Sequence, residues 1–364
     1  MTVHGTVHRG FESVREVFAD VIADAAGGCA FSVVRRGEVL VGLWGGPSWH
    51  EDSLIVLFSG TKGIVATLVA MLVDRDELDP DERVAVYWPE FAAAGKQDVL
   101  LSQVLSHTVG LPYVDPEPEG EFVALDNDVN AKTLAAQSPL WTPGSRVAYH
   151  ALTYGYLLAE ILRRVTGRSV GTLARELLAE PYGLDLHLGL PTALDARVAR
   201  LVKAPDYRIS TFLHDPVRRA IVERMYRGIL DSGDLPNTHE YRRAELAGGG
   251  ALGTAPAMAK LYDLLATGGL VSPSTLATST RTWSAGPDVI NDRPLRFGLG
   301  FELADDLGTY GPATVAFGHS GAGGGRHGAW PDADLGFSFT TAELRSEDAD
   351  GRADHLLATL HPLV

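Results

Sequence analysis

The stretch Phe58-Ser59-Gly60-Thr61-Lys62-Gly63 opens an apolar run, Ile64-Val65-Ala66-Thr67-Leu68-Val69-Ala70-Met71-Leu72-Val73. If 64–73 is helical, Ser59 and Lys62 lie one turn apart on a shared face. That spacing sets a hydroxyl beside an amine able to take its proton. A serine is a weak nucleophile until a base adjoins it. The pair alone has little specificity, because a chain with five lysines meets such spacing readily by chance. The flanking sequence decides whether the pair has catalytic surroundings.

Upstream, Phe11, Val14, Val17, Phe18 and Ile22 show helical spacing over 10–26. Residues 29–44 read as two strands around the turn Arg35-Arg36-Gly37-Glu38. Downstream, Asp74 to Arg83 reads as a solvated turn. From about 98 to 230 the pattern is mainly helical: Val99–Leu105, Ala131–Ala136, Tyr154–Val165, Val170–Leu178 and Arg218–Leu230. The Pro- and acid-rich Pro112–Asp128 reads as a surface loop or lid. After Ala247-Gly248-Gly249-Gly250 comes a helix, Ala257–Ala266. Four strands follow, Gly298–Leu303, Thr314–His319, Gly328–Pro331 and Gly336–Ala342, and a last helix covers about Asp350–Leu360. Strands at both ends with helices between predict an α+β fold. One sheet is built from both termini, 1–78 together with 245–364, and 79–244 forms a mainly helical insertion.

Six segments then stand in a recognisable order. They are Phe58–Gly63, Leu105-Ser106-His107-Thr108-Val109-Gly110-Leu111-Pro112, Thr142-Pro143-Gly144, Tyr149-His150-Ala151, Gly248–Thr254 and Gly318-His319-Ser320-Gly321. Ser-x-x-Lys marks penicillin-recognising serine hydrolases. The chain resembles the serine β-lactamase superfamily over about 30–340, in the branch of class C enzymes, D-alanyl-D-alanine peptidases and family VIII carboxylesterases. The resemblance implies an antiparallel sheet flanked by helices, an inserted helical domain and an active site in the cleft between them. It implies Ser59 as nucleophile, Lys62 as its base and Tyr149 as the tyrosine of the Tyr-x-Asn box. His319-Ser320-Gly321 would stand where β-lactamases carry Lys-Thr-Gly. The backbone N–H groups of Ser59 and Ala322 would hold the oxyanion. Acyl transfer needs this set: a nucleophile, a base and two donors aimed at the developing charge. A cation beside Tyr149 would lower its pKa and suit it to proton transfer.

Two departures bear on the substrate. Ala151 replaces the Asn of Tyr-x-Asn, and alanine offers an acyl-amide no hydrogen bond. His319 replaces the lysine of Lys-Thr-Gly, so a permanent cation becomes a group mostly neutral near pH 7. With His319, Ser320, Gly321 and Ala151 lining the pocket, the expected substrates are neutral carboxylic esters of small to medium size. A β-lactamase or D-amino-acid peptidase or amidase would use the same Ser59. An acyltransferase, or a non-turnover penicillin-binding-like sensor, is the remaining alternative.

Other signals compete. Gly318-His319-Ser320-Gly321-Ala322 resembles a Gly-x-Ser-x-Gly elbow, with Asp334 and His355 as partners for Ser320. Such an elbow needs a strand-turn-helix setting, and here glycines and another strand follow. Gly248–Gly253 and Gly323–Gly328 each match Gly-x-Gly-x-x-Gly. Neither opens a βαβ unit, so tight turns near a pocket are the expected role. His107 reads as a structural histidine bonding a backbone carbonyl. Arg326 reads as a solvated loop arginine, or else as a contact for an anionic substrate group. Trp44, Trp49, Trp141 and Trp330 are candidates for an acyl pocket, with core packing as the default. The weakly patterned Pro191–Leu235 stretch and the 112–128 loop are expected to shape the pocket.

Composition narrows the class. The net charge of −15 argues against nucleic-acid and anionic-membrane partners. Cys29 is the sole cysteine, which excludes an intramolecular disulfide and a Cys-based zinc site. His319 and His327 show no metal-ligand spacing, and no cofactor or metal is expected. Glu12, Arg15, Glu16 and Asp20 break any apolar core near the N-terminus, and no run of about 18 apolar residues exists. A cytoplasmic enzyme is the expectation.

Overall fold

The alternation of apolar residues along the two terminal segments produces one large antiparallel sheet. The computed structural model describes residues 1–364 apart from 24, 210–212, 214, 231–233 and 347–349. Residue 24 of the expected first helix, and those parts of the 191–235 stretch, therefore lie outside the described residues. Among the described residues this sheet has nine strands: β1 (Val3–Val7), β2 (Cys29–Arg35), β3 (Glu38–Gly45), β4 (Ser284–Pro287), β5 (Pro294–Phe297), β6 (Glu302–Leu303), β7 (Phe317–Gly321), β8 (Gly325–Trp330) and β9 (Leu335–Thr341). Their order is β1-β3-β2-β9-β8-β7-β6-β5-β4. The seam between the chain ends is β2 against β9, with Phe31 opposite Phe339 and Cys29 opposite Thr341.

Strand side chains alternate between faces, and each face carries its own helices. On one side Phe31, Val33, Leu335, Phe337 and Phe339 pack with Val14, Phe18 and Ile22 of α1 (Glu12–Ala23). The last helix, α8 (Arg352–Leu360), adds Leu356, Leu357 and Leu360. On the other side lie α2 (Gly60–Asp74) and α6 (Ala255–Ala266), within the larger core that also takes in α3 (Asn127–Ala136) and α4 (Thr153–Thr166). Burying each such Leu, Val or Phe contributes about 1.5–3 kcal/mol. α2 is buried from Gly60 to Leu72, as its all-round apolar sequence requires of a core helix. α5 (Pro216–Tyr226) starts two residues earlier than its periodicity suggests. Asp215 caps it, accepting from the N–H groups of Val217 and Arg218. α7 (Pro273–Thr280) completes the labelled helices.

Some expectations shift. The 298–303 strand shrinks to Glu302–Leu303, because the Gly298 N–H turns to the Phe301 carbonyl at 2.9 Å. The sequence reading missed β1, β4 and β5. β1 is a half-exposed edge with little apolar alternation, and β4 and β5 each carry a proline. A separate three-stranded sheet joins Ile55–Val56, Leu252–Gly253 and Leu186–His187. It fixes the entry to α2, and α2 packs against β7.

Candidate active site

The strand Ile55–Val56 reaches α2 through a sharp turn. Phe58 sits at φ +46°, a region that side chains other than glycine rarely adopt. Ser59 then takes helical angles at the N-cap, φ −64° and ψ −12°. The N–H groups of Gly60, Thr61 and Lys62 bond the carbonyls of Leu57, Phe58 and Ser59, each at 2.9 Å. This turn holds Ser59 half-buried at the cleft while Lys62 is fully buried below it. Lys62 Nζ donates to Ser59 Oγ at 3.0 Å and to the Gly248 carbonyl at 2.6 Å.

Gly248 arrives there by close packing. A Cβ on Gly155 of α4 would stand 2.0 Å from the Gly248 nitrogen, so only glycine allows the approach. The Ala251 N–H donates to Thr61 Oγ1 at 3.0 Å and Tyr241 Oη donates to the Gly249 carbonyl at 2.9 Å. The glycine run 248–253 is thus the turn that delivers an acceptor to Lys62, not a phosphate cradle.

Tyr149 precedes α4. Its N–H donates to Asp288 Oδ2 at 2.8 Å, and its ring stands 4.9 Å from Lys62 Nζ. Phe297 stacks on that ring, and His107 lies against it with 5.0 Å between centroids. His107 is structural in a different way from the expectation. Its Nδ1 accepts the His150 N–H at 3.0 Å instead of donating to a carbonyl. Burial, then the neighbouring His150, Lys62 and His319, hold it well below the usual histidine pKa. It is therefore neutral, with the proton on Nε2.

Electrostatics favour the neutral amine of Lys62. Burial pushes its ammonium down to about 7, against an opposing pull from Glu302. A buried amine near neutrality can accept a proton from a hydroxyl 3.0 Å away.

Ser59, Tyr149, Ser320 and Ala322 share one cleft with Glu302 and Arg293, and Ile209, Tyr226 and Leu295 give it apolar walls. Ser59, Lys62 and Tyr149 are thus brought together, with Ala322 across from them at the end of β7. Gly321 brings β7 onto the turn that enters α2, where a Cβ would lie 2.5 Å from the Leu57 carbonyl. His319 is fully buried behind the cleft wall, its ring 6.2 Å from that of Tyr149. Ala151 is buried in a small cluster with Ala148 and Leu213.

Solved and curated proteins can be set beside this geometry. The beta-lactamase family model matches residues 14–361. The chain belongs to the beta-lactamase family. A penicillin-binding protein homolog from Caulobacter crescentus is 36% identical with a TM-score of 0.90, and each chain is covered in full. A family VIII carboxylesterase is 34% identical, also with a TM-score of 0.90 and full coverage of both chains. The esterase/beta-lactamase LipL of Mycobacterium tuberculosis is 32% identical over 94% of this chain and 83% of its own.

Within this member of the family, several readings need correction. Ser320 does not meet Asp334, the acid expected for an elbow. Its N–H donates to Glu302 Oε2 at 2.8 Å, while Asp334 pairs with Arg36 in the turn at the other end of β8. Arg326 is not solvated but buried on β8. The tryptophans do not line this cleft. Trp49 and Trp330 are core residues, Trp44 stacks on His4, and Trp141 bonds the Thr108 carbonyl. Of the two expected pocket-shaping stretches, 191–235 supplies Ile209 and Tyr226, and 112–128 supplies none of the lining residues.

Glu302 carries no motif that marks it in the sequence. Its Oε2 accepts from Tyr310 Oη at 2.5 Å and from the Ser320 N–H, with His319 Nδ1 at 3.8 Å. Burial alone would raise its pKa. His319, Arg293 and these hydrogen bonds outweigh burial and hold the carboxyl at about 2, so it is ionised. Among the described residues, no three metal-binding side chains converge and no helix is long and apolar enough to cross a membrane.

Proposed function

We propose that this protein is a serine carboxylesterase that hydrolyses small to medium carboxylic esters through an acyl-enzyme on Ser59. The observation that carries the reading is the 3.0 Å hydrogen bond from Lys62 to Ser59 in a half-buried cleft. Neutral Lys62 takes the Ser59 proton as Oγ attacks the ester carbonyl. The N–H groups of Ser59 and Ala322 hold the oxyanion. The proton passes through Lys62 and Tyr149 to the leaving alcohol. Water, activated by Tyr149, then attacks the acyl carbonyl and frees Ser59 and the acid.

Ester preference has structural support. Ala151 gives an acyl-amide nothing to bond, and the Gly248 carbonyl takes over support of Lys62. The carboxylesterase and esterase names carried by relatives agree with this choice. The double name of the mycobacterial relative also favours a minor lactam-hydrolysing activity from the same serine. The division into 1–78 with 245–364 and an inserted 79–244 belongs to the proposal, as does a cytoplasmic setting with the single thiol of Cys29 buried.

The test assays wild type and Ser59→Ala on p-nitrophenyl esters, a chromogenic cephalosporin and a D-amino-acid anilide. Fast ester turnover that requires Ser59, with little lactam or anilide turnover, is the expected result. Stable acylation without turnover, or full esterase activity in Ser59→Ala, overturns the reading.

A further inference from the structure

The turn 322–324 links β7 to β8 and carries Ala322 at the cleft. It is built on two consecutive glycines in left-handed conformations, Gly323 at φ +87° and Gly324 at φ +108°. Such a turn has many conformations open to it unless something outside holds it. The Arg345 N–H reaches the Gly323 carbonyl at 3.3 Å, and a buried charge pair adds the side-chain hold. Arg352 Nη2 donates to the Gly323 carbonyl at 3.1 Å and to the Glu343 carbonyl at 3.0 Å. Its Nη1 donates to Thr341 Oγ1 at 3.0 Å. Its Nε and Nη2 grip Asp350 at 2.8 and 2.6 Å. Only 5% of the Arg352 side chain and 1% of the Asp350 side chain are exposed. The turn rests directly on the pair, because a Cβ on Gly324 would lie 1.9 Å from Asp350 Oδ2.

A buried ion pair is weak evidence for stability, since desolvation offsets most of its attraction. A planar guanidinium fork is, however, well suited to fixing several oxygens at once. We propose that Arg352 is a positioning residue that holds the 322–324 turn so that the Ala322 N–H points at the oxyanion. This rests on the proposed esterase mechanism, in which Ala322 is the second oxyanion donor. Arg352 does not line the cleft, so it acts only through the turn. A loosened turn weakens binding of the transition state and leaves ground-state binding intact.

The test compares wild type, Arg352→Lys and Asp350→Asn, with Ser59→Ala alongside. Lysine keeps the charge but cannot reach all five of these oxygens, on four residues, at once. The expected result for Arg352→Lys is a fall in kcat of about 10–100-fold, short of the full loss of one oxyanion donor. KM should change less than about threefold. Affinity for an alkylboronic acid, which forms a tetrahedral adduct on the serine, should fall in parallel with kcat. Affinity for a product alcohol should not fall. If Arg352→Lys does not fold, Asp350→Asn, which loosens the fork without removing it, should show the same kcat-selective loss on a smaller scale. Wild-type kcat and boronate affinity in whichever variant folds, or equal damage to KM and alcohol affinity, overturns the inference. Failure of the underlying mechanism looks different: Ser59→Ala would then keep turnover, whatever Arg352→Lys does.

Discussion

Lys62 Nζ lies 3.0 Å from Ser59 Oγ and 2.6 Å from the Gly248 carbonyl, with no solvent exposure of its own. In the proposed mechanism one neighbour is the proton's source, and the other is a fixed acceptor that orients the amine. Replacing Ser59 by alanine should abolish p-nitrophenyl ester hydrolysis, while Ser320→Ala should keep activity within about tenfold. Loss in Ser320→Ala comparable to that in Ser59→Ala would transfer the nucleophile to β7.

The buried amine also predicts a pH dependence. Lys62 must be neutral to act as base, and its folded pKa is brought down to about 7 by burial. Plots of kcat/KM should therefore rise with pH through about 7. Stability follows the same sign. The unfolded chain holds this proton up to about 10.4, so the buried ammonium destabilises the fold most below about 7. That penalty fades as pH climbs toward the unfolded value. Lys62→Met should be inactive yet melt higher than wild type at pH 6, with the gap closing by pH 10. Thermal melts at both pH values check this.

Glu302 pulls the Lys62 pKa upward. Glu302→Gln should therefore move the acid limb of the kcat/KM profile to lower pH. Folding should be retained, because the amide oxygen can still accept from Tyr310 and the Ser320 N–H. An unmoved limb would mean that Lys62 and Glu302 are not coupled.

Tyr149→Phe keeps the ring packing against Phe297 and His107 but removes the hydroxyl. Loss of a general acid–base should lower kcat by about 10²–10⁴-fold. Stopped-flow and steady-state rates on one ester series measure the drop, and a change under threefold would remove Tyr149 from the mechanism.

Gly155→Ala tests the seat of the Lys62 acceptor. The new methyl would press on the Gly248 nitrogen and force the glycine turn away from α4. Overpacking of this kind costs about 1–3 kcal/mol. A lowered melting temperature together with a displaced pH midpoint is the expected pair of results.

The parts of this molecule that were legible in sequence are those with local signatures. Ser59 and Lys62 share a helix turn, the 29–44 hairpin has its own turn residues, and β9 is a long apolar strand. Glu302 and the Gly248 carbonyl left no trace, since each acquires its role from residues far away in sequence: Glu302 from Lys62 and His319, Gly248 from Lys62 and Gly155. His107 shows the same limit. Its motif marked it as structural, yet the partner turned out to be a donor supplied from residue 150. The edge strands β1 and β4 have no buried face, and β5 alternates but is only four residues long and opens on a proline, so periodicity could not find them.

The seam between β2 and β9 couples residues 29–35 to 335–341. During synthesis the Ser59 helix leaves the ribosome some 280 residues before the strand that closes the central sheet. A nascent chain thus carries the proposed nucleophile before its opposing wall. Long-range pairing of this kind folds slowly, so the cleft takes shape only once β7, β8 and β9 have joined the strands laid down first.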